Sequence, residues 1–183
     1  MIENKKLPTI EAERIRLRHL EETDIESLFD IFSDEEAMLY WSSPPFAEMS
    51  EAAKLLAQIH KNFEQKNLFQ WGIALKKNDK IIGTTTIFHL DMRNRRAEIG
   101  YALNRQFWKN GFVNEALNAL FKFAFEELNL HRIEADVDPE NVASIRVLER
   151  LGFEREGFLR ERWHVGGKTF DSYFYGLLQK DFK

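Results

Sequence analysis

Gly111 stands alone among large residues in "FWKNGFVNEAL" (107–117), with Lys109 and Asn110 just before it and Asn114 and Glu115 just after. The stretch follows an apolar run and leads into "EALNALFKFAFEEL", whose apolar residues recur at a helical period. A helix N-terminus carries unpaired N–H groups and a partial positive charge, so anions bind there. Glycine lets backbone approach such an anion closely. Arg105 and Lys109 add cations nearby. Two readings fit: a plain loop that caps the helix, or a cradle for a diphosphate.

Two other places offer chemistry. Glu98 alternates with Gly100 and Ala102 on one face of "AEIGYAL" (97–103). The small neighbours leave room, and the carboxylate overlooks it. Such a group is a general base acting through water, or an anchor for an incoming ammonium, and an apolar wall that raises its pKa would help. The plain alternative is a strand glutamate paired with an arginine. Asn141 and Ser144, from "PENVAS", fall at the N-cap and N3 positions of a helix, with Asp138 before Pro139 as a rival cap.

These residues need a frame. "ERIRLRHL" (13–20) alternates apolar and basic residues and reads as a strand. Thr23 and Glu26 have capping-box spacing and open a helix in "TDIESLFDIF". Ser50 caps a second helix, whose stripe is Ala52, Leu55, Leu56, Ile59 and Phe63. "FQWGIAL" and "KIIGTTTIFHL", joined by "KKND", form a hairpin, and "MRNRR" is a polar turn before 97–103. A helix over 112–128 buries Leu117, Leu120, Phe121, Ala124 and Leu128. "HRIEADVD" (131–138) is a strand, and "NVASIRVLERLGF" is a helix ended by Gly152. "GFLRERWHV", a "GGK" turn and "TFDSYFYGLL" close the chain as a hairpin. The class is α+β: a mostly antiparallel sheet of about seven strands with helices on both faces. The strand–helix–strand unit over 97–138 holds a parallel pair.

The 183 residues suit one domain, 1–183, with no linker or repeat. Apolar residues make up 44% and charged residues 31%, as in an ordinary globular protein. A formal charge of −4 argues against nucleic acid as a partner. There is no cysteine, which removes disulfides, thiolate metal sites and cysteine nucleophiles. "MIENKKLPTI" carries no apolar signal segment and no run is long enough to span a bilayer, so a cytoplasmic protein without membrane partners is expected.

Three motifs lead nowhere. "GGKT" (166–169) ends like a phosphate loop, but Arg162 stands where its first glycine belongs and the setting is a hairpin. The five histidines show no ligand spacing, so no metal is expected. Arg93, Arg95 and Arg96 read as a solvated hairpin tip.

"AEIGYALNRQFWKNGFVNEAL", "HRIEADVDPENVASIRVLERLGFEREGFLRE" and "GKTFDSYFYGLL", with the N-terminal "IEAERIRLRHLEETD", cover nearly the whole chain. In order and spacing these blocks resemble the Gcn5-related N-acetyltransferase (GNAT) superfamily. They resemble most its RimJ/RimL branch, which acetylates N-terminal amines of ribosomal proteins and related targets. The resemblance implies a GNAT fold, whose parallel pair splays to admit acetyl-coenzyme A as co-substrate. The pantetheine would pair with the strand holding Tyr101, Ala102 and Leu103, and the diphosphate would sit on Trp108, Lys109, Asn110, Gly111, Phe112 and Val113. Val113 stands where relatives usually have a small residue. Asn141 would reach the pantetheine arm and Ser144 would lie near the thiol. Many relatives place a tyrosine acid seven residues after that asparagine; here the residue is Leu148, which leaves Ser144, or a water it holds, as the substitute.

The resemblance therefore implies an N-acetyltransferase working by direct attack of the amine on the thioester. A backbone N–H near Leu103 would hold the oxyanion, with Glu98 and Ser144 as catalytic residues. The expected acceptor is a protein or peptide N-terminus. A small amine or antibiotic, or a coenzyme A-binding module without chemistry, are the alternatives, and a homodimer is left open. Trp41, Trp71, Trp163 and Tyr173 are candidates for the acceptor groove or for core, and loops 38–50 and 160–172 carry acceptor specificity.

Overall fold

The computed structural model describes residues 6–183, so the first five residues of the N-terminal stretch read above lie outside the described residues. The elements follow in the order β1 (Ile10–Glu11), β2 (Ile15–Arg18), α1 (Ile25–Phe32), α2 (Glu35–Met38), α3 (Met49–Glu64), β3 (Leu68–Leu75), β4 (Ile81–Asp91) and β5 (Arg96–Leu103). After these come α4 (Phe112–Glu126), β6 (Arg132–Val137), α5 (Val142–Arg150), β7 (Glu154–Val165) and β8 (Lys168–Leu178). One sheet of eight strands runs β1-β2-β3-β4-β5-β6-β8-β7. The strand beyond the expected count is β1, a two-residue piece that pairs Ile10 with Leu17 and is too short to show alternation.

All neighbours are antiparallel except β5 and β6. That pair joins only at Arg96–Arg132, Ala97–Ile133 and Glu98–Glu134, and then diverges. From there β5 follows β4 and β6 follows β8, so the sheet splits into two halves. Glu134 pins the closed end: it is buried and accepts from Arg96 Nη1 at 2.8 Å and Arg132 Nε at 2.7 Å.

The two faces of the sheet hold two cores. Ile73, Ile87, Ala97, Ile99 and Leu103 pack with Leu117, Leu120, Phe121 and Ala124 of α4. Ala74, Ile81 and Ala102 pack with Leu28, Ile31 and Phe32 of α1 and Ala52, Leu56 and Ile59 of α3. Leu103 and Ala102 are adjacent in the chain yet serve opposite cores, as strand alternation requires.

Helix starts differ from the local signals. The first capping box is Glu21 with Asp24, not Thr23 with Glu26, and a 3-10 turn (Glu22–Asp24) precedes α1. Arg18 decides this, because its guanidinium grips Asp24 at 2.7 and 2.8 Å and holds that carboxylate under the Glu21 N–H. Helix α3 starts one residue before Ser50, with Glu48 as N-cap and Glu51 accepting from the Glu48 N–H at 3.0 Å. Ser50 instead donates its hydroxyl to Glu48. Helix α2 has no apolar stripe to announce it; Asp34 caps it by accepting from Glu36 N and Ala37 N, each at 3.0 Å.

Candidate active site

The splay opens a cleft of about 700 Å³. Its floor is the free edge of β5. The Asn104 N–H donates to Ile82 O on β4 at 2.8 Å. Backbone groups alternate in direction along a strand, so those of Ala102 and Gly100 also face β4 while those of Leu103, Tyr101 and Ile99 face the cleft. The Leu103 carbonyl accepts the Trp108 indole N–H at 2.8 Å. The other edge groups have no β6 backbone opposite them beyond Glu98. They offer an extended ligand a ladder of donors and acceptors.

One end of the cleft is the N-terminus of α4. Gly111 is its N-cap, at φ +79°, and no side chain among the described residues caps the first turn. The first N–H groups of the helix therefore remain available to an anion. A Cβ at Gly111 would meet only Arg14 Nη2, at 3.5 Å, so backbone conformation rather than crowding calls for glycine here. Arg14 braces the loop from outside. Its Nε donates to Glu115 Oε2 at 2.7 Å, its Nη1 donates to the Asn110 carbonyl at 3.1 Å, and its guanidinium lies 4.5 Å over the Phe112 ring. Nothing local in the sequence marks Arg14, because its partners lie about a hundred residues away.

Trp108, Lys109, Gly111, Phe112 and Val113 line the cleft, as do Tyr101, Ala102, Leu103, Asn141 and Ser144. Asn110 does not: its side chain donates to the Phe107 and Trp108 carbonyls at 3.3 and 2.9 Å and holds the loop together. Arg105 is not free to serve an anion, since it bridges to Asp34 at 2.9 Å and Glu36 at 3.0 Å. Val113 is half-buried: it packs against the core beside α4 and also lines the cleft.

The second wall is α5. Asn141 is its N-cap and accepts the Ser144 N–H at 3.0 Å. Asp138 caps the preceding turn through the Glu140 N–H at 2.7 Å. Leu148 is buried in the same wall. Tyr101 reaches this wall from β5. Its hydroxyl is buried without a hydrogen bond of good geometry, although the Ser144 side chain bears on it. Burial raises the phenol's pKa from 10.0 to about 12, against a smaller lowering by Ser144.

Glu98 lies on the opposite face of β5, on the side of α1 and α3, and outside the cleft lining. It is buried, and its partner is His89 Nδ1 at 2.9 Å, not an arginine. Gly100 leaves open space, with only Phe88 within reach of an added Cβ, at 3.6 Å. Asp136 does line the cleft. It accepts from Trp163 Nε1 at 3.0 Å, from Arg162 Nε at 3.3 Å and from the Ser172 hydroxyl. Sequence reasoning missed it because its three partners come from the closing hairpin. Trp41 lines the cleft and packs edge-on against Phe32 at 5.3 Å, while Trp71 is fully buried core. Tyr173 lies under the Arg155 guanidinium. Tyr40 donates its hydroxyl to the Glu140 carbonyl at 3.1 Å and ties the loop after α2 to the turn before α5.

A cleft between splayed parallel strands, with open strand-edge amides and an uncapped helix N-terminus at its end, defines a coenzyme-binding acyl-transfer fold. A family model for the acetyltransferase (GNAT) domain matches residues 14–154, and the chain belongs to that family. It is 37% identical to the uncharacterized N-acetyltransferase p20 of Bacillus licheniformis, over 96% of this chain and 99% of that protein. It is 28% identical to YdaF of Bacillus subtilis (strain 168), a candidate ribosomal N-acetyltransferase, over 93% and 94% of the two chains. Among solved structures, a GNAT acetyltransferase from Bacillus anthracis superposes with a TM-score of 0.85 at 28% identity, covering 94% of this chain and 99% of that one. The fold is shared by spermidine N-acetyltransferase from Vibrio cholerae in complex with CoA and spermine, with a TM-score of 0.79 at 24% identity over 92% and 97%. The protein is an N-acetyltransferase with acetyl-coenzyme A as co-substrate. No helix among the described residues is long and apolar enough to cross a membrane.

Proposed function

We propose that this chain, as one catalytic domain over residues 1–183, acetylates the N-terminal α-amine of a protein or peptide by direct transfer. The observation that carries this reading is the state of the acids around the cleft. Each of the three is already engaged: Glu36 with Arg105, Asp136 with Arg162 and Trp163, and Asp138 with a backbone N–H. A polyamine presents several separated ammonium groups and would call for free carboxylates. A peptide N-terminus presents one amine beside backbone, and the resemblance to YdaF points the same way.

Acetyl-coenzyme A supplies an acetyl group activated as a thioester. The chain's residues bind and orient it. The N–H groups of α4 beside Gly111 hold its anionic end, and the edge of β5 from Ile99 to Leu103 holds the extended arm. The free N–H of Leu103 faces the place where negative charge builds up on the carbonyl oxygen. The Ser144 hydroxyl donates toward the sulfur that departs. Glu98, on the face of β5 turned toward α1 and α3 and paired with His89, takes the amine's proton through water. An α-amine loses its proton near pH 8, so a remote base suffices.

A panel of acceptors tests the assignment by thiol release: peptides with free N-termini, the same peptides blocked at the N-terminus but bearing lysine, and spermidine. Turnover of the free N-termini alone is expected. Faster turnover of spermidine or of the blocked lysine peptides overturns the α-amine reading.

A further inference from the structure

Gly72 and Gly100 both lie inside strands on the face of the sheet turned toward α1 and α3, and packing explains only the first. A Cβ at Gly72 would meet Ile81 Cδ1 at 2.6 Å and Leu20 Cδ2 at 2.7 Å, so that glycine makes room for the core. A Cβ at Gly100 would meet only Phe88 Cε1, at 3.6 Å, an ordinary contact. Its backbone does not call for glycine either, since its φ is not positive. Glycine weakens a strand interior, and where neither packing nor backbone explains it, it marks a close approach by a ligand. The pairing register shows what surrounds the space. Gly100 lies opposite Thr86 on β4, and Thr86 lies opposite Gln70 on β3, so the three form one row across the sheet. Glu98 is two residues along β5 on the same face, about 7 Å away. This face is apolar core at Ala74, Ile81 and Ala102, and it turns polar at Gln70, Thr86 and Glu98. Gly100 is half-buried and lines the cleft, so the space above it joins the edge of β5 to Glu98.

We propose that Gly100 is a specificity-determining residue for the acceptor: the amine reaches the thioester across the space where a side chain would stand, and the acceptor's first residue lies in that space. The inference rests on the α-amine reading given above. The α-carbon of an N-terminal residue is one bond from the attacking nitrogen. An acceptor whose amine stands at the edge of β5 must therefore lay its first residue over the face of that strand. The side chains of Ile99 and Tyr101 belong to the opposite face and do not obstruct it. The one position that could obstruct it is Gly100, and there the strand carries only hydrogen. Beyond it in the same row, Thr86 and Gln70 offer a hydroxyl and an amide to the peptide group that follows. The slot thus sets how large a first side chain the site accepts.

Gly100→Ala and Gly100→Val test this through three readouts: kcat/KM for peptides that begin with glycine and with leucine, acetyl-coenzyme A affinity by calorimetry, and the melting temperature of the unliganded protein. Gly100→Ala is expected to lower kcat/KM for the leucine-first peptide by at least about tenfold, since one methylene in a pocket is worth about 10–200-fold. The glycine-first peptide should lose less, and Gly100→Val should extend the loss to both. Coenzyme affinity should be unchanged, because the backbone groups of Gly100 face β4. The melting temperature of Gly100→Ala should hold or rise, because alanine meets no clash there and restricts the unfolded chain. A ratio between the two peptides that stays at the parent's value in Gly100→Ala overturns the proposal. So does an equal loss on both peptides in Gly100→Ala with weakened coenzyme binding, which would mean a distorted strand. A parent that turns over neither peptide removes the α-amine reading, and the proposal with it. A parent that turns over both beside variants with an unchanged profile overturns the proposal alone.

Discussion

Arg14 and Glu115, 101 residues apart, meet at 2.7 Å beneath the loop that carries Gly111. Glu115 also accepts from the Ile15 N–H at 3.2 Å, so one carboxylate ties β2 to the first turn of α4. The helix N-terminus at the end of the cleft is thus braced by the far side of the sheet. Arg14→Leu removes the brace and the carbonyl contact at Asn110 together. Acetyl-coenzyme A affinity should fall about fivefold, roughly 1 kcal/mol for a half-exposed charge-assisted contact. Titration calorimetry of the purified variant checks this, and unchanged affinity would mean that the loop holds its shape alone.

Gly111 separates strain from charge. At φ +79° an alanine costs about 1–2 kcal/mol of strain, yet no neighbour clashes with its Cβ. Gly111→Ala should therefore fold, melt lower and bind more weakly. Gly111→Glu should fold as well but lose coenzyme binding, because a carboxylate would stand where a diphosphate must come. Retained affinity in a folded Gly111→Glu protein would return the loop to a simple turn.

Capping and catalysis are separable on α5, because the cap uses the Asn141 side chain and only the backbone of Ser144. Asn141→Ala should lower stability by about 1 kcal/mol. Ser144→Ala should leave stability alone and lower kcat. Denaturant melts read beside steady-state kinetics distinguish the two, and a stability loss in Ser144→Ala would contradict the geometry.

Glu98→Gln tests the proton path. A base role predicts the largest loss at low pH, with recovery as the free amine becomes abundant. A flat loss below about threefold would leave Glu98 with a pairing role for His89 alone.

Tyr101 leaves a signature at high pH. Its phenol titrates at about 12 in the fold against 10.0 ordinarily, so the unfolded chain ionises first. Stability present below pH 10.0 is then lost as pH rises toward about 12. The loss from this one group is about 2–3 kcal/mol. Tyr101→Phe should escape it, so the gap in stability between variant and parent should widen over that window in urea melts. A constant gap would mean that the phenol is solvated.

Much of this architecture is written locally. Alternation marks β2, apolar β-branched runs joined by a turn mark β3 and β4, a helical stripe marks α4 through Leu117, Leu120, Phe121 and Ala124, and Asn141 caps α5 three residues from the N–H it accepts. Such signals rest on neighbours within a turn or a hairpin, which sequence spacing alone specifies. The tertiary structure decided where the sheet splits, because Arg96 and Arg132 close on Glu134 only once β5 and β6 lie side by side. It gave Glu98 a histidine and spent Arg105 on α2, pairings no spacing encodes. It set Arg14 under Gly111 and left the Tyr101 hydroxyl orphaned beside Ser144. Those are relations through space between residues distant in the chain, and burial and charge act across that space only when the fold has closed it.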